Sequence, residues 1–380
     1  MSTTVVAAPI DTLRELVVCS LEPWDETWRR NQFLVDALMR EHPRLRVLFV
    51  EPAADPLFDL AARRRPLLGR SRDVRGDQRL EALRPLKPLP RRLGEFSDRS
   101  LRRSVVRGAR RLGFERPVLW INDVTYAPLI AATGWPAVYD ITDDWLLAGD
   151  HPAELRRLVE LDTLALERAQ AVVVCSAALA ASRGRNREVE LIPNAVDAAH
   201  FRRTRPRPPD LPPAPVAVYL GTLHDARIDV GLVIELARAR RDLSVALVGP
   251  DALGPAARAA LAEEPNIVLL GPRPYRDAPA YLQHADVVIV PHLVSPFTES
   301  LDPIKAHESL AIATPTVATP VAGFRELAGA VDVVQREVFV ATVEAALVSP
   351  TRHERAIELA SWAERAARFG AVLTRIVEAR

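Results

Sequence analysis

Lys305 and Glu308 stand three residues apart in the stretch PFTESLDPIKAHESLAIATPTVATP, residues 296–320. On a helix that spacing puts an ammonium and a carboxylate on one face. A cation for a diphosphate beside a carboxylate for sugar hydroxyls is a pairing suited to a nucleotide. The same spacing also fits a surface ion pair on an ordinary helix, and both readings stand at this point. Asp302 followed by Pro303 reads as an N-cap and a first-position proline, so a helix is predicted over 303–311. The loop 298–302 before it would then turn backbone N–H groups toward an anion. Composition also singles out Lys305: of 50 basic residues only Lys87 and Lys305 are lysines. Where arginine is the default cation, a lysine can mark a site that wants a compact ammonium.

A second set of carboxylates lies upstream. Asp140, Asp143 and Asp144, in YDITDDW, follow the end of an apolar run, where sites form in α/β folds. One of them could orient or deprotonate an acceptor hydroxyl; a structural turn with an N-cap aspartate is the alternative. Asp123 follows another apolar run in the same way. Glu22, Trp24 and Asp25 follow the first run and offer a ring and polar groups for a sugar. For Asn194 and Asp197, turn chemistry is the expectation. His151, His224 and His292 are isolated and lack ligand spacing, so no metal site is expected. Cys19 and Cys175 end apolar runs and read as buried thiols, too few for a disulfide scaffold and suited to a reducing, cytoplasmic setting.

The elements that must position these residues alternate. Apolar runs at 16–19, 46–50, 118–121, 137–139 and 171–174 read as buried strands, with helical patterns through 33–38 and 153–169. RRTRPRPPDLPPAP, residues 202–215, has the composition of a stiff, solvated linker. The alternation then restarts, with strands at 216–220, 244–248, 267–270, 287–290 and 316–318. Helices are predicted at 229–240, 254–262, 276–284, 339–348 and 352–378. The expected architecture is α/β: two doubly wound Rossmann-type domains, 1–201 and 216–361, facing each other across a cleft. The helix at about 362–380 is expected to pack back on the first domain.

The chain has 380 residues, 48% hydrophobic and 26% charged, with a net charge of +1. No apolar run reaches the roughly 18 residues of a membrane helix, and no signal-peptide pattern opens the chain. The near-neutral total hides an uneven distribution. Residues 63–111 hold 16 arginines and Lys87 against five acids, a surplus of twelve. That segment could meet an anionic membrane surface, at the inner face, or a lipid-diphosphate acceptor. Its lack of an inserting apolar face favours a solvated excursion, and no nucleic-acid motif accompanies it.

The run DPIKAHESLAIATPTVATP resembles the donor-binding signature of GT-B-fold glycosyltransferases of the family 4-like group. VVVCSAALA near 172, VELIPNAVD at 189–197, VAVYLGTL at 216 and NIVLLGPRPYRDAPAYLQHADVVIVP at 266–291 agree at the expected distances. SLEPWDETWRRNQFL and GTLHDARID are similar to a subgroup of teichuronic-acid-type polysaccharide glycosyltransferases.

The resemblance implies a nucleotide-diphosphate sugar (UDP-, GDP- or dTDP-linked) as donor, a hydroxyl acceptor, retention of configuration, and no cofactor or metal. It implies that Glu308 accepts bonds from the ribose hydroxyls. Lys305 and the backbone N–H groups of Ser300, Leu301 and Asp302 would hold the diphosphate. Gly221 and Thr222 would approach the phosphates, with Arg227 as a second cation, and Arg273 would lie along the base. Asp302 would contact the donor sugar, its cap role being the alternative. The N-terminal domain would hold the acceptor.

The chain departs from the pattern in places. Ser300 stands where the E-x7-E pattern has its first glutamate, and Glu299 is one residue off. Ala313 and Ala195 replace usual glycines, at about 1 kcal/mol each if those positions need positive φ. The usual Arg-and-Lys pair of the strand-end loop is missing. The alternatives are a sugar-nucleotide epimerase or hydrolase of the same fold, and an inactive activator partner of another glycosyltransferase.

Overall fold

The computed structural model describes residues 13–61, 66–76, 78–87, 94–147, 152–349 and 359–379. His151 and the first part of the predicted 352–378 helix lie outside these residues.

The first domain alternates β1 (Glu15–Cys19), α1 (Arg30–Glu41), β2 (Arg46–Val50), α2 (Pro56–Ala61), β3 (Arg70–Asp73) and β4 (Leu80–Arg84). It continues with α3 (Gly94–Arg111), β5 (Val118–Ile121), α4 (Leu129–Thr133), β6 (Ala137–Ile141), α5 (Pro152–Arg168), β7 (Ala171–Val174), α6 (Ala177–Arg183) and β8 (Glu190–Leu191). The sheet order is β3-β4-β2-β1-β5-β6-β7-β8, parallel except for the β3–β4 edge pair. Helices cover both faces, so strands such as Val118–Ile121 are buried throughout and read as continuous apolar runs.

The second domain holds α7 (Ala198–Arg202), β9 (Val216–Leu220), β10 (Leu223–His224), α8 (Val230–Ala239), β11 (Ser244–Val248), β12 (Asp251–Ala252) and α9 (Pro255–Ala262). Then come β13 (Ile267–Gly271), α10 (Ala278–Gln283), β14 (Val287–Val290), α11 (Ile304–Ala311), β15 (Thr316–Ala318), β16 (Asp332–Val333) and α12 (Arg336–Val348). Its main sheet runs β13-β11-β9-β14-β15-β16. In the first sheet the strand order reverses at β1/β5, and in the second at β9/β14. Ligands collect in the crevices such reversals open at strand carboxyl ends, and both face the cleft.

The last helix, α13 (Trp362–Glu378), leaves the second domain and docks on the first. Ser361 and Glu364 form its capping box, closing two otherwise open backbone donors. Trp362 stacks on Phe33 of α1 at 4.6 Å, and Phe369 meets Trp120 of β5 at 4.4 Å.

Two expectations are corrected. The basic segment is not a solvated excursion, because β3, β4 and α3 build part of the first sheet and its cover. Several of its arginines are neutralised within the fold: Arg72 and Arg84 both pair with buried Glu51, and Arg111 pairs with Glu81. The 202–215 stretch does not hang free either. Leu211 is buried in one cluster with Phe201, Val216 and Val218, and Asp210 pairs with Arg273. Among the described residues, no helix is long and apolar enough to cross a membrane.

Candidate active site

Two glycines shape the donor side of the cleft. Gly221, ending β9, has φ 145°, and Gly249, ending β11, has φ 147°. A Cβ on Gly249 would lie 2.1 Å from the Gly221 carbonyl oxygen, and one on Gly221 would lie 2.2 Å from Cε of Lys305. Only glycine lets these two strand ends and the lysine converge. Lys305 Nζ also sits 5.4 Å from the centre of the Tyr219 ring.

Lys305 and Glu308 project together from α11 into a cavity of about 200 Å³ between the domains, alongside Gly221, Thr222, Arg227 and Arg273. Neither makes a salt bridge or hydrogen bond among the described residues, so the surface ion-pair reading fails. Enclosure by protein pulls the Lys305 pKa down, Arg227 pulls it further, and Glu308 opposes both. Enclosure raises Glu308, with Lys305 opposing. An anion placed beside Lys305 would satisfy what the fold leaves uncompensated.

The loop before α11 differs from its predicted form. Pro303, not Asp302, is the N-cap, with extended backbone and no side-chain cap bond. The N–H groups of Ser300 and Leu301 are donated to Phe297 and Thr298 within a 3-10 turn, and proline has none. That leaves the Asp302 N–H before the helix, and Ile304 and Lys305 in its first turn with N–H groups the helix itself does not use. Asp302 lines the cavity but spends its carboxylate on the Asn194 backbone N–H and on His307, whose Nε2 is 3.2 Å away. Ser300 is buried at the domain boundary. Its Oγ accepts from the Asp144 N–H at 3.3 Å, and its carbonyl accepts from Ser176 Oγ at 2.6 Å. Glu299 pairs with Arg325 away from the cavity. Arg273, lining the cavity, is held by Asp210 and by Tyr281 Oη at 2.7 Å.

Further bonds knit the domains at this level. Arg227 Nη2 donates to Asp143 Oδ1 at 3.0 Å. Asn194, expected only in a turn, donates to the Asp302 carbonyl and accepts from Arg30 Nη1 at 3.1 Å. Asp197 does take the turn role, capping α7 through the His200 N–H. Arg30 is buried and grips Asp140, which is fully enclosed and also accepts from Trp120 Nε1 at 3.2 Å. Asp140 therefore lies beneath the cleft floor as a positioning residue. Asp144 is likewise committed, to Arg183 at 2.8 Å, which leaves Asp143 as the member of the trio that faces the cleft.

On the first-domain side, Glu22 lines both the interdomain cavity and a neighbouring one of about 590 Å³. Trp24 does not stack on any sugar: it is 7% exposed and packs edge-on against Phe49. Trp28 lines the cleft instead, stacked on Tyr275. Asp25 folds back to hold the Thr27 N–H at 2.9 Å. Asp123 caps the turn at Val124–Tyr126 and borders the larger cavity.

Besides Trp28, cleft residues that the sequence reading of the site missed include Asn122, His292 and Tyr275. Asn122 accepts from the Leu21 N–H and from Asn31, and donates to Thr142, fixing the floor. His292, one residue past β14 and Pro291, lines the donor cavity. Burial drives its pKa well below the usual imidazole range, helped by Lys305 and Arg227, so it is neutral. Tyr275 crosses the boundary, its N–H donating to the Glu26 carbonyl at 2.7 Å. A strand-end position at the sheet reversal was the available signal for His292; Tyr275 had none. Among the described residues no group of three or more His, Cys, Asp or Glu could hold a metal.

Residues 214–351 match the family described as glycosyl transferases group 1. Bacillus subtilis TuaH, by name a teichuronic acid biosynthesis glycosyltransferase, is 27% identical over 222 residues, 54% of this chain and 56% of TuaH. The match thus spans about half the length of that curated relative. Among solved structures, sucrose-phosphate synthase from Thermosynechococcus elongatus aligns over 97% of this chain and 100% of its own, with a TM-score of 0.73 at 16% identity. Anabaena HepE, solved with UDP and glucose, aligns over 96% of this chain and 97% of its own, with a TM-score of 0.64 at 15% identity. At such identities these likenesses establish the two-domain fold. The chain thus has a two-domain GT-B-type fold, and the segment that holds α11, Lys305 and Glu308 is the one similar to group 1 glycosyl transferases.

Proposed function

We propose that the chain transfers a sugar from a nucleoside diphosphate donor to a hydroxyl acceptor. The observation that carries this reading is the enclosed, unpaired Lys305 and Glu308 facing the Gly221 turn across the interdomain cavity. The diphosphate lies against Lys305, Arg227 and the first-turn N–H groups of α11, which meet the charge that grows on the leaving group. Glu308 takes the ribose hydroxyls, and the base lies toward Arg273 and Tyr275. The acceptor oxygen, entering from the Glu22 and Asp143 side, bonds the anomeric carbon. The bond to the diphosphate breaks with its electron pair, and that oxygen takes up the acceptor's proton, so configuration is retained. Protein cations supply the charge neutralisation, so turnover is expected to persist in a chelator.

UDP-sugars head the donor panel, since HepE was solved with UDP and glucose and with UDP-glucose. Lys305→Ala should lower kcat on the order of 10²–10³-fold, the scale of removing one group that stabilises a developing anion. Glu308→Ala should weaken UDP binding. Near-normal turnover in both variants would sink the assignment.

A further inference from the structure

The cavity of about 590 Å³ beside the donor site has a divided character. Its mouth, at Glu22, Asp143, Thr222 and Arg227, is shared with the donor cavity. Part of its wall is apolar, formed by Leu21, Val124, Ile141, Trp145, Leu146 and Leu158. The Trp145 indole N–H is buried and has no hydrogen-bond partner among the described residues. Leaving such a donor unmet is unfavourable, so it invites an oxygen from a bound molecule.

Charge narrows the occupant further. Five carboxylates border this cavity (Glu22, Asp123, Asp143, Glu154 and Asp162) against three arginines. Each arginine is already paired with a carboxylate: Arg29 with Glu22, Arg183 with Asp144 and Asp162, and Arg227 with Asp143 while it also borders the donor cavity. Among the described residues, no uncommitted cation faces the cavity, in contrast to Lys305 on the donor side. A phosphorylated acceptor would lose its hydration here and meet five carboxylates, with the three arginines already paired.

We infer that this cavity is the acceptor subsite and that it takes an uncharged alcohol carrying an apolar body, not a sugar phosphate or a lipid diphosphate. The body fills the wall of Trp145, Leu146 and Leu158, and the hydroxyl stands at Glu22 and Asp143. This rests on the transferase reading for its meaning but is tested by binding alone. Octyl β-glucoside below its micelle concentration, glucose 6-phosphate and UDP are each titrated calorimetrically into the wild-type chain, W145A, L158R and K305A. Octyl β-glucoside should bind the wild type and K305A alike, and both W145A and L158R about ten-fold more weakly, near 1.4 kcal/mol. Glucose 6-phosphate should bind at least about ten-fold more weakly than octyl β-glucoside to the wild type. UDP should bind the wild type, W145A and L158R but not K305A, which also reports that the variants fold. Absence of octyl β-glucoside binding, equal binding of glucose 6-phosphate, or full affinity in both pocket variants overturns the inference. Loss of UDP binding by the wild type overturns the donor reading alone.

Discussion

Enclosure raises the Glu22 carboxyl to about 7, with Asp143 adding to the shift and Arg29 and Arg227 opposing it. The side chain keeps 38% of its surface exposed, so an incoming hydroxyl can reach it. Above pH 7 the ionised group can accept the bond of an incoming hydroxyl; below it the proton competes. The acceptor KM is therefore expected to fall as pH rises through about 7, and E22Q to flatten that profile. A wild-type KM that is flat across the range would contradict this role. Stability runs the other way. Between the ordinary value of 4.5 and about 7 the folded chain holds a proton the unfolded chain does not, so Glu22 weakens the fold as pH rises through that window. Lys305 and Glu308 were legible in the sequence because their pairing is local, three residues on one helix. Trp24 and Trp28 were not told apart, because they lie in an irregular loop without period, and only the packing of Phe49 and Tyr275 decides which ring faces the cleft.

The strand-end turns carry a sharper prediction than the helix they serve. Gly221→Ala places a Cβ against the flexible end of Lys305, which can swing away, and strains a positive-φ position by about 1–3 kcal/mol. Gly249→Ala carries the same strain and also drives a Cβ into the Gly221 backbone, which cannot move without parting β9 from β11. Gly221→Ala should therefore lose UDP affinity with a modest fall in Tm, and Gly249→Ala should melt lower. Parallel thermal denaturation decides it: a Gly249→Ala melting point at or above that of Gly221→Ala refutes the account. The alanines at 195 and 313 carry no such cost, since Gln78 is the one non-glycine at positive φ among the described residues. Strands and their order of appearance could be read from apolar runs. The helix start at Ile304 could not, because Asp302 met a better partner across the domain boundary than its own helix end.

At the scale of the whole molecule, α13 is the element most exposed to test. Phe369→Ala empties a fully buried site against Trp120 and should cost about 3–5 kcal/mol. The loss falls on the first domain, so calorimetry should show its transition moving down while UDP still binds the second. A shift confined to the UDP-stabilised transition would argue against that division. The stretch 202–215, expected from its composition to be solvated, packs against the second domain instead. Proline-rich composition reports stiffness, not exposure: residues without N–H groups can lie against a protein face with few backbone donors to satisfy, as Leu211 and its neighbours do.

Because α13 comes home to the first domain, the polypeptide passes between the two bodies twice, near 193–197 and near 359–361. The passages lie side by side: the Val196 N–H donates to the Ala360 carbonyl at 3.2 Å, and Arg365 reaches the Asn194 carbonyl at 3.4 Å. A single tether would leave the bodies free to swing and twist in any direction. Two adjacent tethers act like the paired knuckles of a door hinge, leaving rotation about the line through them as the easy motion. Asn194 sits on that line and binds Asp302 on the moving side. A rotation about that line would therefore carry the segment that leads into Lys305.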